Sequence, residues 1–289
     1  MKNKIQILDG GMGRELLRIG APFAQPEWSA LALMQAPDMV ARAHRHFIDA
    51  GAEIITANTY ALIPFHVGHD KDIDDLARLA VTCAKNAVGD DDIKLAGCIP
   101  PAFGSYQPEL FIADHLDPIL TPLILAQKDD IDFWLVETMS SAYEAEATIN
   151  IIKKHSDLPI HVSFTLNNRD DLSQVTTLRS GEELDLIEPI LTHIDAVLFN
   201  CSQPEEMEDA IKGVRTMGND IQIGAYANNF SEIKRTVDAN KGISQSRDDI
   251  TPEVYLEFAK IWMDSGATII GGCCGITPEH ISLLAKNLK

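Results

Sequence analysis

Five cysteines occur in the 289 residues, and three of them stand in surroundings that suit chemistry better than packing. Cys201 sits in an Asn200-Cys201-Ser202 triplet, and Cys273 and Cys274 are adjacent inside the Gly-Gly-Cys-Cys-Gly run at 271–275. Neighbouring residues of a regular strand point to opposite faces. Glycines on both sides let the chain leave the pleat there, so both sulfurs can turn the same way. If Cys201 reaches the same point, three thiolates at about 2.3 Å would hold a zinc ion (Zn2+) and leave one tetrahedral position open, as catalytic sites do. Soft sulfur donors select zinc over magnesium or calcium. A substrate thiol in the open position would ionise near neutral pH, with its sulfur still electron-rich enough to attack an electrophilic methyl in line. Core packing, or a disulfide between the two neighbours, is the blander alternative for the pair. Cys83 and Cys98 read as small buried hydrophobes. His66 and His69 do not match ligand spacing and read as exposed polar residues.

The elements that must position these groups are legible as periodicity. Short apolar or β-branched runs at 5–8, 53–57, 94–99, 133–136, 160–165, 196–199, 221–226 and 268–270 read as strands buried on both faces. Helical patterns lie between them at 38–49, 73–87, 113–128, 142–155, 181–191, 204–217, 252–264 and 278–287. Thr251 before Pro252 and Thr277 before Pro278, with Glu253 and Glu279 following, are helix-start signals. Strict alternation implies a parallel sheet, and eight repeats point to an α/β chain closed as one (β/α)8 TIM barrel domain over 1–289. An open doubly wound sheet is the structural alternative. In a barrel, Asp9-Gly10-Gly11, Asn58-Thr59-Tyr60, Glu137-Thr138, Asn200-Cys201-Ser202 and the cysteine pair would meet on one rim. The polar stretch 227–249 after the seventh strand is expected as a surface loop or a lid over that rim.

Composition narrows the partners. A net charge of −19 and a sequence pI near 4.7 disfavour nucleic acid and anionic membrane surfaces. No stretch reaches the length of an apolar span, and no signal segment opens the chain, so the expectation is a cytoplasmic protein acting on small molecules. An odd number of cysteines is no disulfide framework. A homo-oligomer is compatible with all of this.

The motifs LDGGMGREL, NTY, NCSQPE and GGCCGITPEHI, spread from Leu8 to Ile281, resemble the homocysteine S-methyltransferase family, which includes S-methylmethionine-, betaine- and cobalamin-linked enzymes. The order and spacing of NC and GGCCG carry most of the specificity. The resemblance implies that Cys201, Cys273 and Cys274 are zinc ligands. It implies that Asp9 and Glu137 hold the amino group of homocysteine, and that the Gly10 and Gly11 amides hold its carboxylate. Asn200 would orient the first ligand through a hydrogen bond. Taken without the family, Asp9 and Glu137 could equally be a turn acid and a strand-end ion pair, and Asn200 a turn former.

The methyl donor is less constrained. Trp28, in PEWSAL, is similar to the corresponding stretch of the S-methylmethionine-type enzymes and could face a sulfonium or quaternary ammonium through its ring. Tyr60 and Tyr226 are further candidates for the same wall. The chain departs from the family pattern at Tyr226-Ala227-Asn228, where a proline is usual, and at Glu137-Thr138-Met139-Ser140. Its length leaves no room for the further modules of the cobalamin-linked members, so a stand-alone transferase is expected. Methylation of selenocysteine or another thiol, and a non-catalytic zinc or redox-sensing barrel, remain the competing readings.

Overall fold

The apolar runs become strands wherever both faces can be covered. In the computed structural model, which describes residues 4–169, 171–218, 220–230 and 245–289, they are β1 (Gln6–Ile7), β2 (Ile54–Thr56), β3 (Lys94–Ile99), β4 (Phe133–Met139), β5 (Ile160–Thr165), β6 (Ala196–Asn200), β7 (Gln222–Tyr226) and β8 (Ile269–Ile270). Every ladder is parallel, in the order β1-β8-β7-β6-β5-β4-β3-β2. The remaining seam is closed by a parallel bridge between Leu8 and Ile54, with the Glu53 N–H donating to the Ile7 carbonyl at 2.7 Å. That closure makes the (β/α)8 barrel and rules out the open doubly wound sheet, which would keep two free edges.

Two layers of core hold the barrel. Leu8, Ile54, Ala96, Leu135, Leu198, Tyr226 and Ile269 belong to a buried cluster with Cys273 packed against it. A far larger cluster includes Ile55, Val136, Val162, Phe199 and Ile270 of the strands together with Phe47, Leu120 and Trp262 of the helices. Alternation along each strand sends successive side chains to opposite faces, and that divides the apolar residues between the two clusters.

The helices at Pro37–Asp49, Ile73–Val88 and Pro252–Asp264 lie where periodicity puts them. The expected helix over 181–191 is reduced to a 3-10 turn, Leu184–Ile187, followed by Glu188–Leu191. Three helices were not expected: Met12–Arg18, Ser29–Gln35 and Pro64–Val67. None exceeds seven residues, too short to display a 3.6-residue period. Among the described residues no helix is long and apolar enough to cross a membrane.

Candidate active site

The C-terminal ends of the strands surround a cavity of about 260 Å³ lined by Asp9, Gly10 and Gly11 after β1, Thr56 from β2, Glu137 and Thr138 from β4, Cys201 after β6, Tyr226 from β7, and Gly272, Cys273 and Cys274 after β8. Trp28, Tyr60, His66, Ser105, Tyr106 and Phe230 complete much of its wall. The rim expected from strand ends is therefore real. Of the residues expected there, Asn58, Thr59, Asn200 and Ser202 do not line the cavity.

The three expected ligand sulfurs lie within 4.8 Å of one another. Cys201 gets there by adopting a left-handed backbone, φ 47°, directly after β6. Cys273 and Cys274 turn inward beyond β8, where Gly272 and Gly275 flank them; a Cβ on Gly272 would meet Ile276 Cγ2 at 2.1 Å. Cys201 and Cys273 are joined as a disulfide in this structure, with Cα atoms 5.6 Å apart, and Cys274 is free. The alternative of a bond between the adjacent cysteines is thereby corrected, since the partner comes from across the rim. Three convergent soft donors fit one thiophilic metal, whose ligand sulfurs stand roughly 4 Å apart when each bond is about 2.3 Å. Reduction of the Cys201–Cys273 bond is needed before all three can ligate. Burial pushes the Cys274 thiol up to about 11, Glu137 adds to the rise, and Arg14 opposes it.

Two carboxylates share the cavity. Asp9 is buried and accepts the Thr56 N–H at 2.8 Å. Desolvation raises its pKa to about 8, with the nearby Glu137 charge adding to the effect. Burial also raises Glu137. A strand-end ion pair would lower Glu137 rather than raise it. Glu137 is aimed by an irregularity in β4, whose register to β5 shifts between Val136 and Met139, with Thr138 at φ 63°.

Several expectations are corrected by the geometry. The Gly11 N–H donates to the Ile276 carbonyl at 2.9 Å, so it is already engaged and is not a donor for a substrate carboxylate in this conformation. Its lack of a side chain serves packing: a Cβ there would meet the Cys273 carbonyl at 2.7 Å, and one on Gly10 would meet the Ile276 carbonyl at 2.6 Å. Asn200 accepts from Ser163 Oγ at 2.7 Å and donates to Thr138 Oγ1 at 2.7 Å, neither of which is a ligand. It thus ties β6 to β4 and β5 rather than orienting Cys201. Ser163 Oγ also accepts from the Tyr226 hydroxyl at 2.6 Å, which makes Tyr226 part of the cavity floor, its ring packed in the barrel interior.

Two residues were misjudged by sequence. His66 is buried rather than exposed, lines the cavity, and has Nδ1 3.2 Å from the Pro26 carbonyl; because a carbonyl only accepts, Nδ1 carries the proton. His69 is exposed, as expected. Cys83 is buried in its helix, but Cys98 is more than filler, since its thiol lies 3.3 Å from Glu137 Oε2 and donates to it. Burial and the Glu137 charge keep that thiol protonated, as donation requires. Its position at the C-terminal end of β3 was the available signal.

On the outer wall, Trp28 has φ 50° and packs edge-on to Phe23 with centroids 5.7 Å apart. Tyr60 shares a 2.6 Å hydrogen bond with Ser105. Of the stretch 227–249, residues 231–244 lie outside the described residues. Its described ends are anchored: the Asn229 N–H donates to the Cys274 carbonyl at 2.8 Å, Phe230 bridges Ser246, and Arg247 pairs with Glu205 at 2.7 Å.

A family model described as homocysteine S-methyltransferase matches residues 6–288. The chain is 27% identical to homocysteine S-methyltransferase 1 of Arabidopsis thaliana, covering 98% of this chain and 93% of that one. It is 26% identical to a selenocysteine methyltransferase of Astragalus bisulcatus, covering 98% and 92%. The crystal structure of the homocysteine methyltransferase MmuM from Escherichia coli, in its metallated form, superposes with a TM-score of 0.80 at 22% identity, covering 99% of this chain and 96% of that one, which confirms the fold. The chain belongs to the homocysteine S-methyltransferase family.

Proposed function

We propose that the 289 residues act as one homocysteine-binding barrel that moves a methyl group from a sulfonium or quaternary ammonium donor to the thiol of L-homocysteine, giving methionine, with zinc held by Cys201, Cys273 and Cys274. The observation that carries this reading is the meeting, in one cavity, of three sulfurs within 4.8 Å and two desolvated carboxylates. Zinc bound by three thiolates supplies Lewis acidity that favours ionisation of a thiol at its remaining position.

The chain's own residues do the rest. Asp9 and Glu137 receive the substrate ammonium, whose positive charge offsets the desolvation that raises both carboxyls. Cys98, donating to Glu137, and Thr56, donating to Asp9, hold the two carboxylates in place. Trp28 and Tyr60 present aromatic faces to the cationic donor. The homocysteine thiol gives its proton to solvent, and its sulfur lone pair forms the new bond to carbon. The old bond from that carbon to the donor breaks with its electron pair kept by the donor, which leaves as a neutral thioether or tertiary amine. Both charges vanish as the bond shifts, so an enclosed, water-poor cavity favours the step. Gly10 and Gly11 serve by letting the loop after β1 pack against the cysteine loop.

The E. coli relative is described as metallated, which supports a metal at these sulfurs. The relatives named for selenocysteine support a selenol as a second acceptor, to be settled by direct competition with homocysteine. The Cys201–Cys273 disulfide is the feature that a redox-sensing reading calls for, and turnover after reduction separates the two. The net charge of −19 suits small-molecule partners rather than nucleic acid or anionic membrane surfaces. The test is methionine formation by reduced, zinc-loaded protein with S-methylmethionine, S-adenosylmethionine and betaine in turn. At least one donor is expected to yield methionine; silence with all three overturns the reading.

A further inference from the structure

Arg14 is a charged cavity residue that the reading above leaves without a role. It lies on the Met12–Arg18 helix, directly after the glycines that follow β1, and lines the same cavity as the three sulfurs. Its guanidinium carbon is 4.8 Å from the centre of the Phe230 ring. Among the described residues lining the cavity it is the one lysine or arginine, whereas the acids Asp9 and Glu137 are two.

The charges of the two substrates make different demands. An amino group is matched by Asp9 and Glu137, and a methyl-bearing cation by the aromatic faces of Trp28 and Tyr60. A carboxylate on the donor is repelled by both acids and needs a cation of its own within reach of the cysteine cluster. A guanidinium offers a planar fork that matches a carboxylate with two parallel hydrogen bonds, and stacking on a ring keeps that fork oriented. Phe230 supplies the ring.

We infer that Arg14 is the anchor for the carboxylate that the sulfonium or ammonium methyl donor carries. This rests on the proposed methyl transfer, and it is tested by binding rather than turnover so that the two can fail separately. The reduced, zinc-loaded full chain is titrated calorimetrically with dimethylsulfonioacetate and with trimethylsulfonium, with L-2-aminobutyrate present as an acceptor analogue that lacks sulfur. The intact protein is expected to prefer dimethylsulfonioacetate by at least tenfold, about the effect of one charge-assisted pair. Arg14→Gln is expected to weaken that probe by about 10- to 100-fold and trimethylsulfonium by less than about twofold, with Arg14→Lys between. Absence of a preference in the intact protein overturns the inference whether or not Arg14→Gln folds. Equal weakening of both probes, or loss of zinc from Arg14→Gln, overturns it as well, since Arg14 would then serve the wall or the sulfurs. If methionine never forms yet the preference holds, the methyl-transfer reading fails and the carboxylate anchor stands.

Discussion

The two ends of the barrel treat backbone strain in opposite ways. At the end where helices return to strands, the left-handed positions following the helices are glycines: Gly51 after Pro37–Asp49, Gly89 after Ile73–Val88, Gly218 after Met207–Thr216 and Gly266 after Pro252–Asp264. Glycine occupies that region without steric penalty, so these helix ends are relaxed. At the other end, the described non-glycine residues with left-handed φ are Trp28, Tyr106, Thr138 and Cys201, and all four line the cavity. Each such residue costs on the order of 1–3 kcal/mol and persists only when its surroundings over-determine it. The acids follow the same division. Asp74, with Arg78 at 2.8 Å, and Glu208, with Lys212 at 2.6 Å, are paired on the outer helices, while Asp9 and Glu137 are desolvated together on the rim. One end is arranged for stability, and the other spends stability on binding.

The largest effect that could break this contrast is at the sulfurs. Cys201→Ala is expected to abolish both zinc retention and methionine formation while the far end of the barrel stays folded; full metal content in the variant would remove Cys201 from the ligand set. Next is Glu137→Gln, which leaves the sulfurs alone. Removing one partner of a buried charged pair costs several kcal/mol, so kcat/KM for homocysteine is expected to fall by about 10²- to 10³-fold with zinc retained.

Asp9 sharpens the contrast through pH. Its carboxyl goes from an ordinary value of 3.8 to about 8 on folding, so the native state holds a proton that the unfolded chain releases between those limits. Its contribution to stability is therefore complete below pH about 4 and is lost as pH rises through 8. Asp9→Asn should stabilise the reduced, metal-free protein by about 2–4 kcal/mol at pH 8.5 and by little at pH 4, in urea titrations without homocysteine. A pH-independent difference would contradict the assigned cause. The smallest effect belongs to the relaxed end. Gly89 has φ 57° and open space around it, so Gly89→Ala should cost about 1 kcal/mol of stability by backbone strain alone, with kcat/KM unchanged.

How much of this was legible in the sequence divides along the same line. Strands 94–99 and 160–165 coincide with β3 and β5 because Leu95 to Ile99 is an unbroken buried run and Ile160, Val162 and Phe164 alternate with His161, Ser163 and Thr165. The cysteines were readable because Gly-Gly-Cys-Cys-Gly has no packing rationale. What stayed hidden depends on backbone angles or on partners far along the chain. Thr138 at φ 63° and the register shift in β4 leave no composition signal, nor does the pairing of Cys201 with Cys273 instead of a neighbour. The engagement of the Gly11 amide by Ile276 is a closure contact between the two ends of the chain, and no local pattern reports it. His66 is polar by type, but its short helix carries it into the cavity wall.

The central claim is that three sulfurs from two loops hold one metal ion and leave a place for the sulfur of the substrate. X-ray absorption at the zinc edge on reduced protein, before and after adding L-homocysteine, tests it most directly. The account predicts three sulfur neighbours rising to four on addition, with one zinc per chain throughout. A sulfur count that homocysteine does not change, or four sulfurs already present without it, would contradict the account.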